Sequence, residues 1–243
     1  MQKIEILGIK VNNIDKEALL AEIENSITES KRLYISYANA NSINLSYKNK
    51  NFKKLLDSFD IVHPDGIGIL LASKILSGGD KLKTRFSGSD FYPELAEKSI
   101  KNNWRIFFFG HTDAILEKIK LQNPKINICG TAEGYSFNPV KIAAQINDKV
   151  PDILIIGLGQ PLQEEMISFY RDFINCSVIM AVGDGIKVFA GEKRRGPIFM
   201  QKIGLEWLSR LIRNPLKYGK RYLLGNPLFL YRIIRAKLGK FNS

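Results

Sequence analysis

Short, continuous apolar runs alternate along the chain with longer segments in which apolar residues recur every three or four positions. The runs Lys3 to Val11, Leu33 to Ala38, Arg105 to Phe109, Ile126 to Gly130, Ile153 to Gly157 and Val178 to Val182 predict strands. Between them the spacing predicts helices over Ala40 to Tyr47, Ile67 to Leu76, Phe91 to Lys101, Asp113 to Leu121, Pro139 to Lys149 and Leu162 to Phe173. Another helix is expected from an Asp15 cap to about Ser30, because Leu19, Leu20, Ile23 and Ile27 fall on one face. ILIIGLG and VIMAVG contain no charged or amide residue, the pattern of parallel strands covered on both faces. The expected fold is α/β, a Rossmann-like, mostly parallel sheet flanked by helices.

From Phe199 onward the strand signals stop. Helices are expected over Glu206 to Tyr218 and Leu228 to Lys240, with Gly225-Asn226-Pro227 as a turn between them. Charge changes at nearly the same place. The 243-residue chain has a net charge of +12, and its last 51 residues hold 13 of the 36 basic residues but one of the 24 acidic ones, which leaves 23 of each sign before them. The division expected is an α/β catalytic domain over 1–192 and a C-terminal basic helical appendage over 193–243. Arg210, Arg213, Lys217 and Lys220 recur at helical spacing and would share a face. Basic amphipathic helices of this kind suit an anionic membrane surface. The plainer alternative is a helical hairpin packed on the body with its basic face in water. A nucleic-acid-binding protein that tracks phosphates with the basic tail is a third reading, and it leaves the motifs of the body unexplained.

No stretch approaches the roughly 20 apolar residues needed to span a bilayer, and MQKIEILGIKVNNIDKEALL lacks the basic and apolar regions of a signal peptide. Cys129 and Cys176 are too few and too far apart for a disulfide framework or a zinc site. His63 and His111 lack a second nearby soft ligand, so no metal is expected.

In an open parallel sheet, ligands sit outside the carboxyl ends of the strands. Four loops deserve inspection on that ground: Ala38-Asn39-Ala40-Asn41-Ser42, Val62-His63-Pro64-Asp65-Gly66, Phe109-Gly110-His111, and Gly157-Leu158-Gly159-Gln160-Pro161-Leu162-Gln163-Glu164. Each has an ordinary alternative. From the residues alone Asp65 reads first as a Pro-Asp-Gly turn residue, and Asn39 and Asn41 read equally as helix caps. GLGQPL starts like a dinucleotide fingerprint but has Leu162 where its third glycine belongs. No two aspartates are separated by a single residue, so the metal-holding D-x-D of many nucleotide-sugar transferases is missing. A nucleoside diphosphate would then be met by Arg, Lys and backbone donors, with Arg85 a candidate.

Seven segments in order, YANANSINL, HPDGIGIL, TRFSGSDF, FFFG, the Gly134-Tyr135 pair in GTAEGYSF, PDILIIGLGQPLQEEMI and VFAGEKRRGPIFMQKIGLEWLSRLIRNPLKYGKRYL, resemble the WecG/TagA/CpsF family of glycosyltransferases. That resemblance implies inverting transfer of an N-acetylmannosamine-type sugar from a UDP donor to undecaprenyl-diphosphate-linked GlcNAc. The reaction would serve teichoic acid linkage units or other surface polysaccharides, peripherally at the cytoplasmic face of the membrane. Transfer of another UDP-hexose or a uronic acid is the alternative within the class. The resemblance makes Asp65 the general base, with Asn39 orienting the sugar or acceptor hydroxyl and Arg85 stabilising the diphosphate or sugar. It places Gln163 near the nucleotide and has Gly110, Gly157 and Gly159 admit the donor, with Gly134 and Tyr135 beside it. Arg195, Arg210 and Arg221 would hold the lipid diphosphate. No cofactor, metal or nucleic acid is implied, and a homo-oligomer is left open. Two departures bear on the sugar: Tyr37 stands where the family commonly has Thr, and Val182 to Val188 replaces a run resembling GVGGSFD. Lys187, in that second run, reads as a surface residue.

Overall fold

The computed structural model describes residues 1–76, 78–192, 196–197, 199–200 and 205–239. The first apolar run is a hairpin rather than one strand. β1 (Lys3–Ile6) and β2 (Ile9–Asn12) pair antiparallel, and Leu7 and Gly8 between them both have positive φ, 51° and 83°. Two such residues form the tight turn whose twist matches a hairpin, which an unbroken apolar run conceals. Asn12 Oδ1 accepts the Val62 N–H at 2.8 Å and so fastens the hairpin to the adjacent edge of the main sheet.

That sheet is parallel throughout and has the order β4-β3-β8-β7-β5-β6. Its strands are β3 (Leu33–Ala38), β4 (Ile61–Pro64), β5 (Ile106–Phe109), β6 (Ile128–Ala132), β7 (Ile153–Ile156) and β8 (Val178–Ala181). The Rossmann-like α/β expectation holds. β4 is an addition: IVHP is short and ends in Pro64, and proline is tolerated there because this is an edge strand.

Alternation along the strands divides the core in two. Phe107, Phe109, Leu154, Ile156, Ile179 and Ala181 pack to one face. Ile106, Phe108, Ile153, Ile155, Val178 and Met180 pack to the other. Covering the second face are α1 (Lys16–Thr28), α5 (Gly88–Lys101), α6 (Asp113–Gln122) and α9 (Ile186–Phe189). Covering the first are α2 (Ala40–Lys48), α3 (Lys50–Asp57), α4 (Ile67–Leu76), α7 (Pro139–Lys149) and α8 (Leu162–Tyr170). α3 adds to the expected set, since its one-sided pair Phe52 and Leu56 is set among lysines.

The tail departs from its expected form in two places. Helix α10 (Glu206–Arg213) stops at Asn214, whose φ of −145° and ψ of 77° reflect the clash that Pro215 imposes on a helical predecessor. Helix α11 (Pro215–Gly219) follows, so the single helix expected over Glu206 to Tyr218, and with it one continuous basic face, is broken. No turn forms at Gly225-Asn226-Pro227. A π-helical segment over Lys220–Leu224 runs straight into α12 (Gly225–Lys237). Pro227 therefore lies within continuous helix, three residues after the π-helical segment ends. Phe229 and Ile233 of α12 are buried in the body's core, and Asn44 Nδ2 donates to the Gly225 carbonyl at 2.7 Å.

Candidate active site

Because the six strands are parallel, their carboxyl ends share one edge, and the loops that follow them converge there. β3 and β4 are neighbours with Ala38 opposite Pro64, so the next residues, Asn39 and Asp65, emerge side by side. The Asp65 N–H donates to the Ala38 carbonyl at 2.8 Å. Asp65 Oδ2 accepts from Asn39 Nδ2 at 3.4 Å, and Oδ1 accepts from the Gly88 N–H at 3.4 Å. Gly88 opens α5, so the positive end of that helix faces the carboxylate. Two donors and a helix N-terminus therefore meet at the Asp65 carboxyl group.

Asn39 is the helix cap that one reading of the sequence made it, and it also reaches Asp65. Its Oδ1 caps α2 by accepting from Asn41 N–H at 2.9 Å and Ser42 N–H at 3.2 Å, which leaves Nδ2 for Asp65. Beneath Asp65 lies an aromatic bed. His63 stacks on Phe86 at 4.2 Å and lies 6.1 Å from Tyr37. Burial holds the His63 imidazole below its ordinary pKa, against a smaller opposing hydrogen bond to the Pro64 carbonyl, so this histidine is neutral.

Gln163 is fully buried and works inside the fold. Its Oε1 accepts from Gly183 N–H at 2.9 Å and Gly159 N–H at 3.2 Å, which ties the loop after β7 to the loop after β8. Burial first, then the nearby Glu164, pushes the Tyr37 phenol well above its ordinary range, so it stays a neutral hydroxyl; Arg221 and a hydrogen bond with Gln163 act against that. A Cβ on Gly183 would lie 2.6 Å from that hydroxyl. Tyr37 and the Val182 to Val188 run, the two departures from the family pattern, therefore meet in space. In the same run Asp184 lies 3.8 Å from Lys187 Nζ, and its Oδ2 accepts from Tyr218 Oη of the tail at 3.2 Å.

Three glycines serve loop packing. A Cβ on Gly110, whose φ is +128°, would lie 2.7 Å from the Gly157 carbonyl carbon. One on Gly134 would lie 2.6 Å from Gly110 Cα, and one on Gly157 would lie 2.8 Å from Ile186. Gly159, at φ +83°, has open space where its Cβ would be, so its backbone conformation rather than close packing is what favours glycine there. Tyr135 is 71% exposed, with its ring edge-on to His111 at 6.0 Å.

The tail reaches this edge. Glu206, the tail's lone acid, is buried and accepts from Arg210 at 2.6 Å while lying 3.7 Å from Arg85 of the body. Burial opposes the Arg210 charge, but Glu206, aided by Tyr222 and Asp65, more than offsets it and holds the guanidinium charged. Arg221 lies against the Tyr222 ring at 5.7 Å. Arg195 lies outside the described residues. The structure thus brings Asn39, Asp65, Tyr37, Gln163, Arg85 and Arg210 to one edge. Glu164, Gln160, Ser42 and Glu206 join them without having been singled out; nothing in their spacing marks them, apart from the position of Glu206 as the only acid in a basic tail. Among the described residues, no three His, Cys, Asp or Glu side chains are grouped to hold a metal ion.

Residues 4–243 match the model of the glycosyl transferase WecG/TagA/CpsF family. The chain belongs to that family. Relatives of this glycosyltransferase include the N-acetylglucosaminyldiphosphoundecaprenol N-acetyl-beta-D-mannosaminyltransferases of three bacteria. The Bacillus spizizenii protein is 30% identical over 86% of this chain and 81% of its own length. That of Bacillus subtilis is 29% identical over 99% and 94%. That of Staphylococcus aureus strain MW2 is 27% identical over 97% and 93%. Among the described residues of this chain no helix is long and apolar enough to cross a membrane.

Proposed function

We propose that this glycosyltransferase moves an N-acetylmannosamine-type sugar from a UDP donor to undecaprenyl-diphosphate-linked GlcNAc, with inversion, in the synthesis of a teichoic acid linkage unit or another surface polysaccharide. The observation that carries the mechanism is Asp65, held between Asn39 Nδ2 and the Gly88 N–H at the mouth of the parallel sheet. Asp65 takes the proton of the acceptor hydroxyl as that oxygen attacks the anomeric carbon, and UDP leaves from the opposite face. A single displacement inverts the centre. Arg85 and Arg210, joined through Glu206, face the developing diphosphate charge, and Arg221 extends the cationic rim. The choice of sugar and acceptor rests on the names of the relatives, which span nearly the same length.

The acceptor's lipid gives the tail its task. Leu216, Leu223, Leu224, Leu230, Ile234 and Leu238 are exposed, Leu216 at 98%, and lie among exposed Arg213, Lys220, Arg235 and Lys237. Apolar side chains entering an interface, with each nearby cation worth about 1 kcal/mol, hold such a surface to anionic lipid at the cytoplasmic face. The test offers a panel of UDP-sugars to the full chain with lipid-linked GlcNAc as acceptor, with and without EDTA. UDP-N-acetylmannosamine is expected to be the preferred donor, at a rate unchanged by EDTA. Preference for a UDP-uronic acid or UDP-glucose would move the assignment to the other sugars, and failure with lipid-linked GlcNAc would reject the acceptor.

A further inference from the structure

The motif after β7 ends in a residue that the transfer mechanism leaves unused. Glu164 is fully buried in the first turn of α8, and its Oε1 accepts three hydrogen bonds: from Ser36 Oγ at 2.8 Å, Gln163 Nε2 at 2.9 Å and Gln160 Nε2 at 3.1 Å. Oε2 is buried without a hydrogen-bond partner. A carboxylate oxygen only accepts, so both glutamines must turn their amino groups toward it. That choice fixes where their carbonyl oxygens point. Gln163 Oε1 is left facing the N–H groups of Gly159 and Gly183. Gln160 Oε1 is left facing Ser42 Oγ at 2.7 Å, and Ser42 Oγ in turn accepts the Asn39 N–H at 3.0 Å. The second hydrogen of the Gln160 amino group goes to the Tyr37 carbonyl at 3.0 Å.

We propose that Glu164 is a positioning residue for sugar transfer: one carboxylate oxygen sets the direction of two carboxamides, and through them the Asn39–Asp65 pair and the loops after β7 and β8. The inference rests on the reading of Asp65 as base. It accounts for a buried acid at a position where a leucine would remove an unpartnered oxygen. Burial raises the Glu164 carboxyl above its ordinary pKa while its three donors pull the other way, so the donors are what make the acid tolerable there. The arms differ in consequence. Gln160 leads to Asn39 and the reacting hydroxyl, whereas Gln163 leads to the glycine loops that border the donor.

Full-length variants assayed with UDP-N-acetylmannosamine and lipid-linked GlcNAc separate positioning from mere support. Glu164→Ala is expected to lower kcat about 30-fold and to raise the donor KM, in line with the large cost of small misplacements at a reacting centre. Glu164→Gln keeps an acceptor oxygen toward the three donors and is expected to recover kcat to within about fivefold of the parent. Gln160→Leu is expected to lower kcat with little change in donor KM, and adding it to Glu164→Ala should cost at most about twofold more, since both break one chain of contacts. Equal losses in Glu164→Ala and Glu164→Gln, full kcat in Glu164→Ala, or additive losses in the double variant would overturn the proposal. Should Glu164→Ala lack a cooperative melting transition, Gln160→Leu decides alone: parental kcat refutes the Asn39 arm. Asp65→Asn runs in parallel, and turnover there would reject the base while leaving the Glu164 comparisons to stand or fall by themselves.

Discussion

The sheet of the body and the helices of the tail use apolar residues in opposite ways. β5, β7 and β8 bury every residue they contain, with helices against both faces. α12 buries Phe229 and Ile233 but leaves the adjoining Leu230 and Ile234 more than half exposed. Charge divides along the same line, since 23 positive and 23 negative residues balance before Lys193 and 13 positive residues face one negative after Glu192. In the body hydrophobicity holds the fold together and charges offset each other. In the tail, part of the hydrophobicity anchors a helix and the rest forms a surface, and the one acid sits buried between Arg85 and Arg210. What the contrast teaches is that hydrophobic content alone does not assign a segment's task; the second apolar stripe on an already packed helix does.

Substitutions that strike one region and spare the other test this contrast. The largest effect is expected from Phe108→Ala, which empties a fully buried site in the body and should lower unfolding free energy by about 3–5 kcal/mol, read by chemical denaturation. Vesicle affinity of the molecules that remain folded should be unchanged. Next, Arg213→Ala with Lys220→Ala should weaken flotation with anionic vesicles by about 2 kcal/mol, roughly 30-fold, with neutral vesicles unaffected. Glu206→Gln should then lower turnover about tenfold by leaving Arg85 and Arg210 near one another without the shared carboxylate, an effect of about 1.4 kcal/mol. The smallest change in stability, within about 0.5 kcal/mol, is expected for Leu216→Asp at a site exposed almost completely, although vesicle binding should fall. A large loss of stability in that variant would mean that the tail surface is core after all.

The central sheet was legible because β3, β5, β7 and β8 are apolar runs with punctuation at both ends. β6 begins two residues later than its run suggests, after the Asn123 turn in which Ile126 N–H bonds to the Asn123 carbonyl. β4 escaped because four residues ending in His-Pro lack any periodicity. The hairpin was hidden by a turn placed inside an apolar run, and the tail turn was expected wrongly because the packing of Phe229 and Ile233 on the body outweighs the local preference of Gly-Asn-Pro. At the site, Asn39, Asp65 and Gln163 could be named from their motifs. Glu164 could not, since an acid in a first helical turn has an ordinary electrostatic reason to be there. The contact of Tyr37 with Gly183 and the bridge from Arg85 through Glu206 to Arg210 join positions far apart in the chain, and single-sequence spacing carries no record of them.

Asp65, whose two oxygens accept from Asn39 Nδ2 and the Gly88 N–H, is proposed to take the acceptor's proton. Turnover and UDP binding measured together on Asp65→Asn test it most directly. A general base contributes about 10²–10⁴-fold, so turnover should fall at least 100-fold while the UDP dissociation constant stays within about threefold of the parent. Turnover within threefold of the parent, with UDP bound as tightly, would contradict the account.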